Sequence, residues 1–594
     1  MNWSQQGIES LVWIGQTYLL SLLGTLLVGA VLVRITVWGR QFWRLAGEYF
    51  RLRRDARPVL MAAGVLLLAI AGVRLNVLLS YWSNGFYDAV QALNADQFWF
   101  YMGLFALLAT VHVARVLLNF LLSQTFEIHW RTWMNERLTD VWLADSAYYR
   151  ERFLPRPIDN PDQRIQIDIT SFVSSSRSLA IGAVEALVSL VSFTLILWNL
   201  SGPLSLSGVE IPRAMVFLVY LYVIVASVIA FKLGRPLIRL NFLNEKLTAD
   251  FRYALVRVRE YAENIAFYRG EGVEKSALGR RFGALIDNTW SLVFRSMKFD
   301  GFNLAISQAA VVFPFLLQAQ RFFSGAIKLG DVMQTSQAFG QVQDALSFFR
   351  SSYDSFARYR AVLERLSGFN EAADEARALP GVAVQPCADR LEIEALEVRR
   401  PNGQVLIQDL SLHLQPGDAL LVQGASGAGK TTLLRALAGL WPYASGRLAA
   451  PTGDEALFLP QRTYLPLGSL RAALAYPDAD ADETRMRLVL QQVQLAHLLD
   501  RLDEEADWSH TLSVGEQQRL AFARALLKRP RLIYLDEASS AMDEGLEHAM
   551  YSLLRRELPQ AIVVSVGHRS TLHSFHSRRL FLLGGSRWAL EDLG

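Results

Sequence analysis

The sequence predicts a polytopic α-helical membrane domain followed by a C-terminal α/β domain. The first observation is composition: 52% of the 594 residues are hydrophobic and only 19% are charged, against about 25% charged in soluble domains. The second is distribution, because long apolar runs gather before about residue 350 while the later sequence reads as a soluble domain. The third is a glycine-rich loop between a strand-like and a helix-like segment in that later part. The length also predicts several domains.

The glycine-rich loop fits the pattern G-x-x-x-x-G-K-[ST], which cradles phosphates. A short apolar run, 419–422, precedes it, and strong helix formers at 433–438 follow. Glycines allow backbone N–H groups to surround an anion, and the helix N-terminus adds a favourable dipole. Lys430 would reach the β- and γ-phosphates, and Thr431 would hold Mg²⁺. The predicted phosphate-binding residues are Gly424, Ala425, Ser426, Gly427, Ala428, Gly429, Lys430, Thr431 and Thr432.

Six apolar runs are long enough to cross a bilayer, which takes about 20 residues. They cover residues 18–37, 59–81, 98–122, 179–200, 215–233 and 302–323. Lys and Arg are absent from residues 1–17, 82–97 and 200–212 and abundant in the three alternate segments. Because basic loops stay on the cytoplasmic side, the N-terminus is predicted outside.

An even number of spans would leave the phosphate loop outside, so parity requires a seventh span. The available stretch is 332–349, which contains Gln334, Gln337 and Asp344. We expect its polar face to line a wet cavity. Glu185 lies inside the fourth run and is a second candidate for that cavity, although a packing role is an equal alternative.

Charge and cysteine content exclude several classes of function. A formal net charge of +3 does not indicate nucleic-acid binding, and Cys387 is the only cysteine, so neither an intrachain disulfide nor a cysteine-based metal cluster is expected. The predicted domains are an extra span with a basic segment at 1–50, a six-span domain at 51–369, a linker at 370–389 and the α/β domain at 390–594. Segments 160–165 and 260–271 are candidates for contacts between the two halves.

Several polar residues after the loop suit phosphoryl chemistry. Gln461 follows a strand-like run and could both coordinate Mg²⁺ and sense its loss. Asp536 and Glu537 end the apolar run 532–535; the first suits Mg²⁺ and the second suits polarising an attacking water. His568 follows another strand-like run and could hold the γ-phosphate and that water in register.

A helix start with a capping box completes the series. Ser513 and Glu516 fit the S-x-x-E pattern, so the dipole of the following helix could face a phosphate. In this order the segments resemble the Walker A, Q-loop, signature, Walker B, D-loop and switch-histidine motifs of ATP-binding cassette (ABC) transporters. They are most similar to the branch that contains peroxisomal fatty-acyl transporters and bacterial SbmA/BacA-related proteins fused to an ATPase.

The resemblance implies an exporter-like membrane fold with long cytoplasmic helical extensions and a P-loop ATPase that uses ATP and Mg²⁺. It also implies a half-transporter that works as a homodimer, in which Ser513, Gly515 and Glu516 complete the partner's site. Two features depart from the general pattern. The signature reads LSVGE rather than LSGGQ, and Arg400 stands where an aromatic residue usually stacks on adenine. Because a guanidinium can stack on a base, we expect Arg400 to hold adenine in this way, or adenine to be held only weakly.

The expected function is ATP-driven transport across a bacterial inner membrane, with the ATPase in the cytoplasm. Uptake of a bulky hydrophilic solute, peptide- or cobalamin-like, is favoured over export of lipid- or acyl-type compounds. A membrane-anchored regulatory ATPase or an ATP-gated channel is the alternative from another class. A soluble DNA-repair or translation ATPase would need no apolar spans.

Overall fold

The computed structural model describes residues 3–51, 53, 55–158, 160–202, 204–206, 209–211, 213–478 and 481–593. It has two compact units. The first comprises Met1–Thr139 and Asn160–Phe369, and the second comprises Asp140–Asp159 and Asn370–Gly594.

The first unit is built from long helices, because its apolar runs contain few residues that stop a helix. An antiparallel hairpin of two strands, β1 (Leu204–Leu206) and β2 (Val209–Ile211), lies between the helices that end at Leu200 and begin at Ala214. The helices, in chain order, are α1 Gln6–Ile35, α2 Val37–Ala46, α3 Arg57–Gln91, α4 Ala95–Leu143, α5 Ala147–Arg150, α6 Ile169–Leu200, α7 Ala214–Glu260, α8 Ala262–Tyr268, α9 Glu271–Phe323 and α10 Leu329–Ala378. Of these, α5 belongs to the second unit.

Among the described residues, six helices are long and apolar enough to cross a membrane: α1, α3, α4, α6, α7 and α9. The six predicted apolar runs are therefore helical, except that the first run, 18–37, crosses the break at Thr36 between α1 and α2. Each helix extends beyond its run at one end or both. The predicted seventh span, 332–349, lies inside the 50-residue helix α10. Its passage through the membrane stays a prediction.

The polar residues of α10 are only partly available to a cavity. Gln334 and Thr335 are buried in the unit at 2% and 0% exposure, and Gln318 Nε2 donates to Thr335 Oγ1 at 2.7 Å. The expectation of a wet polar face is therefore wrong for these two side chains, because both are buried in helix packing. Thr335 is hydrogen-bonded there, whereas Gln334 Nε2 has no partner among the described residues. Asp344 and Glu185 are exposed, so their assignment to a cavity stays a prediction.

Polar side chains at the end of α3 cap the start of α10. Asp88 Oδ1 accepts from the Gly330 N–H at 3.0 Å, and Gln91 Oε1 accepts from the Leu329 N–H at 2.8 Å. These bonds satisfy donors that a helix N-terminus leaves unpaired. A Cβ on Gly330 would lie 2.1 Å from the carbonyl oxygen of Asn84, so only glycine permits this close approach.

A buried carboxylate joins α10 to the segment that leads into α6. Asp168, 2% exposed, accepts from Arg365 Nε at 2.8 Å and Nη2 at 2.6 Å, and from Arg164 Nη1 at 3.0 Å. Residues Arg164–Asp168 form one π-helical turn, a feature often found at functional sites. Paired charges of this kind are costly to break, because removal of one partner leaves the other buried.

The second unit contains two principal sheets. The six-stranded sheet has the order β14-β13-β6-β12-β11-β8, parallel except for the edge strand β14, and the four-stranded sheet has the order β3-β7-β4-β5. The strands are β3 Val384–Pro386, β4 Leu391–Arg399, β5 Val405–Leu414, β6 Ala419–Gly424, β7 Ala444–Ala450, β8 Ala456–Leu459, β9 Gly468–Ser469, β10 Glu505–Ala506, β11 Leu532–Asp536, β12 Ile562–Val566, β13 Arg578–Gly584 and β14 Arg587–Asp592.

Strands β6, β11 and β12 are almost wholly buried along their length, as central parallel strands are. Trp508, Phe522 and Tyr551 are among the largest side chains of the core that packs around them. The helices are α11 Lys430–Leu437, α12 Leu470–Ala475, α13 Glu483–Gln492, α14 Trp508–Thr511, α15 Val514–Lys528 and α16 Glu544–Glu557.

The second unit also includes residues 140–158, from the segment between the third and fourth apolar runs, which the predicted boundaries assigned to the membrane domain. Phe153 packs edge-on against Trp441 at 5.0 Å between ring centroids, and Tyr443 Oη donates to the Phe153 carbonyl at 3.3 Å. Arg150 Nη2 donates to the Pro380 carbonyl at 3.1 Å. Aromatic packing and hydrogen bonds to backbone carbonyl groups thus hold residues 140–158 in this unit. No apolar periodicity in the sequence predicted this contact.

The predicted linker 370–389 is also more ordered than expected. Helix α10 continues as far as Ala378, with Ala373 and Ala376 fully buried. They pack with Ala147 and Leu154. Alanine is the strongest helix former, and its small side chain allows this close packing.

We predict that His576 makes the second unit acid-sensitive. Its Nε2 lies 2.9 Å from Ser565 Oγ and its Nδ1 2.7 Å from the Leu572 carbonyl, and burial lowers the pKa of its ring from 6.5 to about 4. Between pH 6.5 and about pH 4, the His576 ring therefore binds a proton in the unfolded chain but not in the folded chain. Stability is complete above pH 6.5 and falls by about 3 kcal/mol as the pH drops to about 4.

Unfolding of the full chain followed across pH 4–7 checks this. His576→Gln should flatten the slope, whereas the exposed His413→Gln should leave it unchanged. Equal slopes in wild type and His576→Gln would contradict the assignment.

Candidate active site

Three loops meet at one edge of the six-stranded sheet. Strand β12 lies between β6 and β11, and all three are parallel; Val566 pairs with Val422 on one side and with Asp536 on the other. Because parallel strands end at the same edge, the loops that follow them lie side by side. The sheet therefore brings the phosphate loop, the Asp536–Glu537 pair and His568 together.

The phosphate loop has the backbone that its glycines predict. Gly424, Gly427 and Gly429 have φ values of 148°, 78° and 104°, which side chains disfavour. A Cβ on Gly424 would lie 2.7 Å from the Leu582 carbonyl oxygen. The residues Ala425, Ser426 and Gly427 are exposed, so the loop is open to a ligand.

The lysine of the loop is held in place by backbone carbonyl groups. Lys430 Nζ donates to Gly424 at 2.9 Å and Ala425 at 3.2 Å, and the residue is 7% exposed. A phosphate would offer a negatively charged acceptor in place of these neutral ones. The following residues, Thr431 and Thr432, begin α11, as the motif requires.

The predicted Mg²⁺ ligands Thr431 and Asp536 are adjacent. Thr431 Oγ1 donates to Asp536 Oδ1 at 3.1 Å. Burial raises the pKa of the Asp536 carboxyl, and the bond from Thr431 opposes this in part. The Thr431 hydroxyl and the Asp536 carboxylate are hard oxygen ligands beside the phosphate loop. They fit Mg²⁺, which proteins usually bind through one or two oxygen ligands together with the phosphates of the substrate.

Glu537 has the most constrained geometry in the site. Gln461 Nε2 donates to Glu537 Oε2 at 3.0 Å, and His568 Nε2 lies 3.2 Å from Glu537 Oε1. The Glu537 backbone has φ 49° and its N–H donates to the Val566 carbonyl at 3.1 Å. A non-glycine residue in this region is strained, and such strain concentrates at functional sites. The three residues predicted for catalysis thus form one hydrogen-bonded group.

The signature residues form a separate group. Ser513 caps α15 and forms a capping box with Glu516, as predicted. Glu516 Oε1 also lies 3.0 Å from His497 Nε2. Gly515 faces residues 539–543, which match the D-loop motif, and a Cβ there would lie 3.3 Å from the Ala541 carbonyl oxygen. In the described chain, the side chains of Ser513 and Glu516 have no hydrogen bond or ion pair with the phosphate loop, Asp536, Glu537 or His568.

Arg400 lies beside the phosphate loop. Its Nη2 donates to the Gly427 carbonyl at 3.1 Å and its Nη1 to Gln404 Oε1 at 3.1 Å. The guanidinium is therefore held near the place where a nucleotide base would be expected. Stacking on adenine stays a prediction.

Sequence reasoning missed two residues that connect the catalytic loops. Glu547, 2% exposed, accepts from Ser539 Oγ at 2.5 Å and Thr571 Oγ1 at 3.0 Å, so it joins the D-loop to the segment after His568. Gln518 Nε2 donates to the Gln461 carbonyl at 3.2 Å, and its Oε1 accepts from Ala541 at 3.0 Å. A carboxylate one turn after the helix-capping Asp543 was the available signal for Glu547.

Two family profiles match the chain. The profile of the ABC transporter transmembrane region 2 matches residues 47–323, and the ABC transporter profile matches residues 407–540. An uncharacterised ABC transporter ATP-binding protein of Haemophilus influenzae is 48% identical over 591 residues, covering 99% of this chain and 100% of that protein.

More distant proteins share the architecture. The human lysosomal cobalamin transporter ABCD4 is 29% identical over 508 residues, covering 78% of this chain and 81% of its own. The solved structure of a bacterial Atm1-family ABC exporter with ATP bound superimposes with a TM-score of 0.70 at 18% identity, covering 89% of this chain and 94% of that one. The Atm1-family structure supports the exporter-like fold of the membrane unit.

The motifs at the sheet edge, the helical membrane unit and the full-length relative agree, and the chain belongs to the ABC transporter family as a half-transporter that binds ATP and couples its hydrolysis to transport.

Proposed function

We propose that this half-transporter works as a homodimer that imports a bulky hydrophilic solute, peptide- or cobalamin-like, across a bacterial inner membrane. The observation that carries the ATP-driven part is the group formed by Gln461, Glu537 and His568 beside the phosphate loop.

In the proposed reaction Glu537 is the general base. Its carboxylate accepts the proton of a water that attacks the γ-phosphorus, and the bond to the β-phosphate oxygen breaks. Gln461 and His568 hold the carboxylate in one orientation from opposite oxygens, which lowers the entropic cost of reaching the reactive geometry. Lys430 and the loop N–H groups bind the phosphates, and Thr431 and Asp536 hold Mg²⁺. The bound Mg²⁺ would neutralise charge that develops on the β- and γ-oxygens.

Two features support the homodimer. Among the described residues, the side chains of Ser513 and Glu516 make no hydrogen bond or ion pair with the phosphate loop of their own chain, which leaves them available to a second copy. Phe267 and Tyr268, at the end of α8, are 77% and 87% exposed; neighbouring large aromatic residues with this exposure favour contact with another subunit. In a C2 pair each chain supplies both halves of the contact.

The arginine alternation supports an outside N-terminus and a cytoplasmic ATPase. Helices α4 and α10 would carry motion between ATP sites and spans, aided by the Asp168–Arg365 pair. Exposed Asp344 and Glu185, together with a relative that carries cobalamin, favour a hydrophilic solute. The exporter of lipid- or acyl-type compounds, and the regulatory ATPase or ATP-gated channel, remain the competing proposals.

We expect Glu537→Gln to lower the ATPase turnover of the purified protein by about 10²–10⁴-fold, because a glutamine cannot accept the proton. ATP binding should persist, since the phosphate loop is unchanged. The matched control is Glu544→Gln, an exposed carboxylate seven residues away, which should retain turnover. Wild-type turnover in Glu537→Gln would remove Glu537 from the role of general base.

Transport in proteoliposomes tests direction and solute. Protein oriented with its ATPase outside should export labelled cobalamin or a labelled hydrophilic peptide from the vesicle lumen when ATP is added outside, which corresponds to entry into a cell. Glu537→Gln should abolish the signal. Movement only into the lumen would support the exporter, and ATP-gated ion current without turnover would support the channel.

A further inference from the structure

An open groove lies in the first unit, between the segment after α2, the start of α3 and residues 128–136 in the C-terminal third of α4. Its volume is about 290 Å³, near the lower end of the roughly 300–1,000 Å³ of small-molecule pockets. The polar lining that matters here comprises Tyr49, Asp55, Arg57, His129, Trp133 and Glu136. We call it the elbow groove.

From the positions of the apolar runs in α3 and α4 we infer that the elbow groove is level with a membrane surface. A Cβ on Gly64 in α3 would lie 2.8 Å from Leu122 Cδ2 in α4, so these residues share one depth near the end of both apolar runs. Arg57 and His129 lie seven residues beyond that level along their helices, which at 1.5 Å per residue is about 10 Å. Interfacial aromatic residues are typical of this depth, and Met61 and Ile128 line the apolar side of the groove.

A buried hydroxyl in the groove has no protein partner. Tyr49 is 7% exposed, and its Oη is without a hydrogen bond in the described part of the chain. The ring is fixed by stacking on Trp130 at 5.5 Å and 5°, and by a tilted contact with Trp133 at 5.2 Å. An unpaired buried hydroxyl costs free energy, so this one is suited to a ligand.

The hydroxyl is a donor at all physiological pH values. Burial and the charge of Asp55 raise the pKa of Tyr49 to about 12. It therefore offers a proton to an acceptor oxygen. Phosphate oxygen atoms are strong acceptors of this kind.

The charges of the groove are of both signs. Within the described residues, the side chains of Arg57, His129 and Glu136 have no hydrogen bond or ion pair, whereas the neighbouring Arg137 is engaged with Glu48 at 3.3 Å. Asp55 adds a second carboxylate and accepts from the Arg57 backbone N–H at 2.9 Å. Two carboxylates against Arg57 and a histidine disfavour a purely anionic ligand.

We propose that the elbow groove binds the headgroup of a zwitterionic aminophospholipid. Its phosphate lies towards Arg57 and the Tyr49 hydroxyl, its primary ammonium lies towards Glu136 and Asp55, and its acyl chains follow Met61 and Ile128 into the bilayer. A primary ammonium donates hydrogen bonds to carboxylates, which a quaternary ammonium cannot do. Quaternary groups are recognised by aromatic faces, and Trp133 already carries Arg137 over its ring at 5.2 Å.

The test uses the full chain, stripped of lipid in detergent. Short-chain phosphatidylethanolamine, phosphatidylcholine or phosphatidylglycerol is added, and free phosphoethanolamine and inorganic phosphate serve as headgroup controls. Bound lipid is counted by native mass spectrometry, and the thermal midpoint is recorded. We expect phosphatidylethanolamine to bind in preference to the others and to raise the midpoint.

Two variants test the contact with the phosphate and the contact with the ammonium group separately. Tyr49→Phe should weaken phosphatidylethanolamine binding about tenfold and leave the lipid-free midpoint unchanged, because the hydroxyl bonds to no atom of the described residues. Glu136→Gln should remove the preference over phosphatidylcholine. Tyr87→Phe, at the other end of α3, should change neither quantity.

Equal binding of the three lipids would overturn the proposal. So would an equal midpoint shift with inorganic phosphate alone, or a lower lipid-free midpoint in Tyr49→Phe with unchanged lipid affinity. None of these outcomes depends on the transported solute or on Glu537.

Discussion

The site depends on the parallel register of β6, β12 and β11. Hydrogen bonding between these strands places Val422, Val566 and Asp536 in one row, so the loops after them lie side by side. Glu537 can then adopt φ 49° because the Val566 carbonyl accepts from its N–H at 3.1 Å. A strained residue of this kind persists only where its surroundings over-determine it, and here a buried three-stranded core does so.

In each of the two units, a buried carboxylate links segments that must act together. Glu547 joins the D-loop to the segment after His568, and Asp168 joins the start of α6 to α10 through Arg365. In both cases one carboxylate serves two segments, so movement of one segment changes the hydrogen bonding of the other. Such nodes suit a protein that converts ATP hydrolysis into movement, because each has a high cost of partial disruption.

Local pattern in the sequence was sufficient for part of this fold. The glycine spacing predicted the loop, the S-x-x-E pattern predicted the cap on α15, and apolar length predicted the six membrane helices. Contacts set by tertiary packing could not be read in this way: Phe153 against Trp441, the burial of Gln334 and Thr335, and the helical continuation through Ala373 and Ala376. Each depends on a surface that exists only after folding. Glu547 was missed for the same reason, since a helical glutamate is usually solvated.

We propose that each ATP site is shared between two copies of the chain, so that Ser513–Glu516 of one copy act on the phosphate loop of the other. Mixed dimers, isolated with two different tags, test this sharing. One subunit carries Lys430→Ala and the other carries Ser513→Asp, which keeps an N-cap acceptor but sets a negative charge against the phosphate. The homodimer of either variant should be inactive. The mixed dimer should regain about half of wild-type ATPase turnover, since one of its two shared sites is intact. A mixed dimer no more active than its parents would contradict the shared site.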